Sequence, residues 1–430
     1  MTSVYKLCNI VDSQLEDITS EVTLPVITGA TNSTYQSFNA QSNGVNTSAV
    51  QFNIQVPNMG YAVSRHILIQ NTITLKIDFL GDTGAAYWPN NQVLFNYGLL
   101  NSLQAFPFNA LLSTSQATIN NAQVSVNTRD VMASLLKLYN YDELARYNSL
   151  TPSLIDSFYS DFRDGLGSNN NVLGNYSVGG FAKEYQPRGC FPVSISGAAP
   201  VNNVPGVPLA NNTVKASGTG AAPYASIYLT FTSTEPLLFL SPFISGNSTN
   251  VAAFIGLNTL NLNLNLGDAS RVMSNASWAI PTGTAVSVPT IKNVSLVSVN
   301  SSSLLLNFLT IPPSLACKIE PRNVVNYNNY MPYPSGTTQS IAARVGGVNG
   351  TQSVTSNNFQ LGQIPSKMLI FATKSVQTTY DSNSFAVINS INMTFANKSG
   401  ILSGAKQVQL YDISIRNGLN LSVVKKSYCY

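Results

Sequence analysis

From Thr259 to Leu266 the chain reads TLNLNLNL. Successive side chains of a strand point to opposite faces, so Leu260, Leu262, Leu264 and Leu266 share one face and Asn261, Asn263 and Asn265 share the other. One face is buried and the other meets polar surroundings. This strand closes a longer stretch, Tyr224 to Leu266, in which YASIYLTFTSTEPLLFLSPF precedes a polar loop and IGLNTLNLNLNL. An earlier stretch, Val50 to Phe79, has the same layout: VQFNIQVP, a short loop, then HILIQNTITLKIDF. There Ile67, Ile69, Asn71, Ile73, Leu75 and Ile77 share a face, with Asn71 as the one break. In both stretches an alternating strand ends at a proline, Pro57 or Pro236, and a longer alternating strand follows a connector. The shared pattern predicts an internal duplication and two similar domains.

A chain of 430 residues can hold two or three domains with sizeable cores. Only 9% of its residues are charged, against about 25% in ordinary soluble domains, and Asn, Ser and Thr fill the difference. Such a surface suits outer faces buried against copies of the same chain, because wide same-sign fields would make neighbours repel. A neutral secreted or surface β-protein is the alternative reading. The net charge of +4 is dispersed. Lys425 and Lys426 are adjacent, but no basic run supports nucleic-acid readout. Cys8, Cys190, Cys317 and Cys429 show no CxxC spacing, so they read as free thiols of a reducing compartment. The first residues lack the basic start and apolar core of a secretory signal, and no window holds the roughly 20 apolar residues of a membrane-spanning helix. A protein made and assembled inside a cell is expected. Asn-x-Ser/Thr triplets at Asn32, Asn247 and Asn392 arise readily by chance in so Asn- and Ser-rich a chain.

Taken in order, residues 1–47 read as an N-terminal arm, with one or two helical turns between Asp12 and Glu21 and a polar tract that has too little apolar content to fold alone. A first domain is expected over 48–221. In it Asn120-Asn121 makes a tight turn between two strands. From Thr128 the period changes: Val131, Leu135, Leu138 and Asp142 fall at helical spacing, with Thr128 as N-cap and Asp130 in the first turn. Residues 168–220 read as long loops around one strand, Cys190 to Ser196. A second domain is expected over 222–420. Its Val-, Leu- and Ser-rich strands are bounded by prolines, as in a sandwich. Asn323 to Gly362 is a loop-rich insertion whose tyrosines either contact something or pack on their own domain, and 421–430 is a tail.

Little in the chain suggests catalysis. His66 is the single histidine, which removes most triads, and beside Arg65 at the start of a strand it reads as a polar strand-end residue. The densest acids, Asp142, Glu143, Asp156, Asp161 and Asp164, interleave with Arg146 and Arg163 at spacings that suit surface ion pairs. A glycosidase pair or a cation site is the competing use of such carboxylates. No GxSxG, P-loop or dinucleotide fingerprint is present. The residues therefore point to no enzyme, and no catalytic, cofactor-binding or metal residue is assigned.

Three C-terminal segments carry a resemblance. LGQIPSKMLIFATKS reads as a strand entered through Ile364-Pro365, SFAVINSINMTFANKSGIL as another strand and turn, and SGAKQVQLYDISIRNGLN as a helix stopped at Gly418. This series, with EPLLFLSPF at Glu235 to Phe243, resembles the close of the second barrel in double jelly-roll major capsid proteins, the adenovirus-hexon-like lineage that includes virophages, Polinton-type elements and tailless phages. The resemblance implies an all-β chain of two tandem eight-stranded jelly rolls with short helices and long loops. It further implies pseudo-hexameric homotrimers that tile an icosahedral shell and lie beside neighbouring capsomers and minor capsid or penton proteins, above an inner membrane or genome. Localisation would be the virion capsid. Relatives are expected to continue beyond the point where this chain ends in SVVKKSYCY. A β-sandwich adhesin that binds glycans through Asn- and Tyr-rich loops is the alternative function, and a single-jelly-roll capsid protein with a large projecting domain is a third reading, weakened because both halves open with the same strand pair.

Overall fold

The computed structural model describes residues 6–9, 23–26, 33–41, 47–56, 61–80, 92–93, 101–136, 138–139, 141–148, 150–153, 193–196, 214–215, 224–237, 243, 253–275, 290–311, 329–340, 350–362, 364–372, 388–395 and 397–419. The strands of its two largest sheets are, in chain order, β1 (Ser33–Asn39), β2 (Ala49–Gln55), β3 (Tyr61–Val63), β4 (Leu68–Leu80), β5 (Leu112–Ile119), β6 (Ala122–Val126), β7 (Val193–Ser196), β8 (Tyr224–Pro236), β9 (Phe254–Ile255), β10 (Thr259–Leu266) and β11 (Thr290–Thr310). One sheet has the order β6-β5-β10-β2; the other runs β7-β8-β4-β11-β3-β9, and β1 also pairs with β11. With the short β3, β7 and β9 set aside, each sheet has four strands, β2-β10-β5-β6 and β1-β11-β4-β8. That order is the wrapped antiparallel layout of a single eight-stranded jelly roll.

Alternation builds its core. Val50, Phe52 and Ile54 from β2 and Leu260, Leu262 and Leu264 from β10 are buried, while their odd-numbered neighbours face out. Ile69, Ile73, Leu75 and Ile77 of β4 meet them from the other sheet with Ile227, Leu229 and Phe231 of β8, and all belong to one apolar cluster. Burying each such side chain stabilises by roughly 1.5–3 kcal/mol.

The two similar stretches of sequence are partners, which corrects the expected duplication. β2 runs antiparallel to β10, with Val50 opposite Leu264, and β4 runs antiparallel to β8, with Leu75 opposite Leu229. The division expected between residues 221 and 222 is corrected with it: strands from both sides are hydrogen-bonded in both sheets, so one roll runs from Ser33 to Thr310. Part of the expected 1–47 arm belongs to that roll, because β1 pairs with Ser303 to Leu309 of β11. Alternation reveals that a strand has a buried face, and it is silent about which strand lies alongside.

Several local readings hold. Asn120-Asn121 links β5 to β6; Asn120 takes φ 44°, and its Oδ1 accepts the Asn258 N–H at 2.7 Å. The segment beginning at Thr128 is helical, but as two helices, α2 (Thr128–Leu135) and α3 (Tyr141–Asn148). Asn127 stands at the N-cap of α2, and Thr128 is buried with its hydroxyl 2.8 Å from that of Ser115. A preceding short helix, α1 (Pro107–Leu111), was hidden inside a strand-like run. The turns expected at Asp12 to Glu21 lie outside the described residues, as does PSLIDSFYSDFRDGLG beyond Ser153.

The C-terminal segment is built differently. Residues 350–362 and 364–372 form neither helix nor strand, so the strand expected in LGQIPSKMLIFATKS is not formed by its described part; extended backbone becomes a strand only through a ladder partner. A hairpin follows, β12 (Met393–Phe395) with β13 (Lys398–Ile401), then the helix α4 (Gln407–Arg416). Gly418 at φ 96° ends α4: its N–H bonds to Ile415 and the Leu419 N–H to Ser414, the paired closure that favours glycine at this place. In the 329–340 loop the tyrosines divide. Tyr330 packs against the core of the roll, whereas Tyr333 is exposed, with its ring 5.4 Å from that of Phe359.

Candidate functional site

The structure describes several of the residues that could have carried chemistry. His66 precedes β4, its ring lies 5.3 Å from that of Tyr147, and its N–H donates to the Ser64 hydroxyl at 3.2 Å. Burial lowers its pKa, against a backbone hydrogen bond that raises it. Arg65 is buried with its guanidinium 5.8 Å from the centre of the Phe254 ring, a cation–π distance. Of the acids, Glu143 on α3 accepts from the Tyr147 hydroxyl at 3.4 Å, and Arg146 on the same helix is exposed. Asp142 contributes its backbone to α3; Asp156, Asp161, Asp164 and Arg163 lie outside the described residues. Cys190, Cys317, Cys429, Asn32 and Asn247 also lie outside them, and Asn392 is exposed before β12.

One polar centre escaped the sequence reading, although its acid stands in the EPLLFLSPF motif. Glu235 of β8 is fully buried, and its carboxylate accepts the N–H groups of Phe108 at 2.7 Å and Asn109 at 2.9 Å, and the Asn109 side-chain amide at 2.8 Å. The Ser233 hydroxyl donates to it as well. A helix leaves its first N–H groups without internal partners. At α1 the N-cap is Phe106, in the left-handed region at φ 53°, and it offers no capping oxygen. Glu235 supplies that oxygen from a strand 126 residues away in sequence. Burial pushes its carboxyl above the usual carboxylate range, while the hydrogen bonds from Ser233, Asn109 and Phe108 pull it the other way.

A second knot adjoins it. The Phe106 N–H donates to Asn148 Oδ1 at 3.2 Å, and the hydroxyls of Thr151 and Ser153 donate to the same oxygen at 2.8 Å. The Thr234 N–H reaches Leu150 O at 3.2 Å. Strand β8, helix α1 and the end of α3 are thereby clamped together. The Phe106, Phe108 and Asn109 N–H groups and the Ser233, Thr151 and Ser153 hydroxyls are all hydrogen-bonded within the protein, so this centre fixes geometry.

Two surfaces remain for contact. On the outer face of the four-stranded sheet, Gln51, Asn53, Gln116, Thr118, Asn261 and Asn263 line a groove of about 310 Å³. None of these side chains is charged. The Gln51 amide donates to Asn263 at 3.4 Å, and Asn265 donates to Thr114 at 2.7 Å. The other surface is the C-terminal segment, where Ile364 is 84% exposed and Val408 65% exposed, with Met368, Leu369, Ile370, Phe371, Ile413 and Ile415 also open. Large apolar residues scattered singly are ordinary; here these eight fall in one segment.

Comparison with known proteins follows the same division of the chain. Residues 3–309 match the family described as Sputnik virophage major capsid protein 1st domain, and residues 333–424 match the one described as major capsid protein V20 C-terminal domain. The first match ends at the close of β11. Capsid protein V20 of Sputnik virophage is 27% identical over 416 residues, covering 94% of this chain; the chain spans 62% of that relative's length. Among solved structures, the cryo-EM structure of the Sputnik virophage aligns over 98% of this chain and 75% of its own with a TM-score of 0.64 and 22% identity. The crystal structure of mavirus major capsid protein aligns over 96% of this chain and 73% of its own with a TM-score of 0.57 and 16% identity. Both share the fold of this chain. Because the first-domain match alone spans well over half of the sequence, the chain belongs to the Sputnik virophage major capsid protein family.

Proposed function

We propose that this chain is a shell-forming major capsid protein, located in the virion and acting by assembly, not by catalysis. The observation that carries the reading is the eight-stranded roll of Ser33 to Thr310, which the family match over residues 3–309 covers almost entirely. In this reading the C-terminal segment belongs to a second jelly roll, so that domain division falls after β11, near residues 311–332. Two rolls per chain give a trimer six similar wedges, and a six-cornered tile fills a near-hexagonal lattice. The uncharged amide face suits close packing of copies, since it sets donors and acceptors against a neighbour without a same-sign field. Neighbouring trimers, minor capsid and penton proteins, and an inner membrane or genome are the remaining partners. Residues 1–20 are assigned to contacts between trimers or with the inner side of the shell, and loops 168–220 and 323–360 to the outer side.

Light scattering on the purified chain, followed by negative-stain imaging, tests this. A particle of three times 46.1 kDa with a hexagonal outline is expected. A stable monomer that binds glycans would overturn the reading in favour of an adhesin. Deleting residues 1–20 should leave trimers and impair shells; normal shells from that variant would remove the role assigned to the segment.

A further inference from the structure

Among the described residues β1 is an edge strand, paired with β11 and with no other strand. Thr34, Tyr35, Gln36, Ser37 and Asn39 are all exposed, so both of its faces are open as well as its outer edge. Phe38 is the exception, packing on the core of the roll with its ring 6.1 Å from that of Phe308. Tyr35 stands out from the same strand at 79% exposure. Natural sheets guard such an edge with a lysine, a proline or a bulge, because its unpaired N–H and C=O groups are a template for another chain. The sequence STYQSFN holds neither lysine nor proline. Its register against β11 runs without a bulge from Ser33 to Asn39.

The amide groove on the other sheet suits this kind of occupant. Gln51 and Asn53 of β2, Asn261 and Asn263 of β10 and Gln116 of β5 line it with side chains that each donate and accept, and none is charged. A strand edge offers donors and acceptors in the same alternation, equally without charge. The scale agrees as well: the groove crosses three adjacent strands, about 10 Å, which three residues of extended chain span. The outer face of the opposite sheet is a poorer seat. It carries the Lys76–Asp78 ion pair, and its threonines already meet one another, Thr74 with Thr230 at 3.0 Å. We propose, on the shell-forming reading, that β1 of one copy seats Tyr35 to Ser37 in the amide groove of a second copy. A standard interface buries about 800 Å² per partner, more than three residues supply, so this contact fixes the pairing within a larger one.

Sedimentation of the full chain over a range of concentrations tests the contact. Wild type should associate. Gln36→Lys on β1 and Asn261→Asp in the groove should each weaken association at least about tenfold, because each sets a charge against amides that carry none. Together the two opposite charges should recover most of the loss, as groups in direct contact do. Gln36→Lys combined with Asn261→Lys should instead associate more weakly than either lysine alone. Both positions are exposed, so unfolding midpoints should stay within about 2 °C of wild type; if Gln36→Lys fails to fold, Ser37→Lys takes its place. Single variants that associate like wild type, or an opposite-charge pair that merely sums the two losses, would overturn the contact and leave the shell-forming reading standing. A wild-type chain that stays monomeric would overturn both.

Discussion

The roll of Ser33 to Thr310 and the segment from Tyr330 to Leu419 contain the same kinds of apolar residue and treat them in opposite ways. In the roll Ile69, Ile73 and Leu75 are fully buried; in the C-terminal segment Ile364 is 84% exposed. Composition does not separate them. The difference lies in pairing: each long strand of the roll has a neighbour of matching alternation, and among the described residues the C-terminal segment has only the short β12–β13 ladder and α4. Apolar content is a demand for a partner surface, and where the chain's described residues do not meet that demand a second molecule or domain can.

The sharpest way to break this contrast is at the centre of the roll. Phe52→Ala should cost about 3–5 kcal/mol, read by denaturant unfolding; a loss below 1 kcal/mol would mean that the two sheets are not packed as described. Next comes Glu235→Ala, which orphans the N–H groups at the start of α1 and should cost about 3 kcal/mol. Glu235→Gln sharpens the point through pH. A carboxyl whose folded pKa is raised binds its proton more tightly in the folded protein, so its contribution to stability is greatest below the ordinary carboxylate range and declines as pH rises through the raised value. Wild type should show that decline, and Glu235→Gln should flatten it, as unfolding midpoints across pH would reveal.

Smaller effects follow at the turns. Asn120→Ala forces alanine into positive φ and removes the tie to the Asn258 N–H, for about 2 kcal/mol. Gly418→Ala meets the same left-handed penalty at the end of α4, about 1 kcal/mol, and should appear as faster amide exchange of α4 alone. The smallest change in chain stability belongs to Ile364→Ser, within about 0.5 kcal/mol. If Ile364 lies at a contact, that variant should nonetheless weaken self-association in sedimentation; equal association of variant and wild type would leave the exposed segment without an assembly role.

Period-2 patterning made the strands legible: β2, β4, β8 and β10 were all read from alternation, the Asn120-Asn121 turn from its residues, the helical segment after Thr128 from its change of spacing, and the end of α4 from Gly418. Partner choice was not legible. β2 and β10 carry interchangeable patterns, and nothing local in either says that they pair together. Helix α1 was missed for a related reason, because its first turn is capped by Glu235 from a remote strand and so lacks the Ser, Thr or Asp that usually announces a helix. Asn71 was visible as the break in an apolar face, but that it lies opposite a bulge at Ser301 and Ser302 of β11 only the register exposes.

The pairing of early with late strands also sets a clock. Gln51 meets Asn263 across 212 residues of intervening chain, and at synthesis rates of about 5–20 residues per second β2 waits roughly 10–40 s for β10 to leave the ribosome. Throughout that interval β2 lacks its ladder partner, and neither sheet is complete. Loop closure of this span is slow and its reward comes late, so the yield of folded subunits depends on how well the cell shields these half-sheets until β11 emerges and completes the roll.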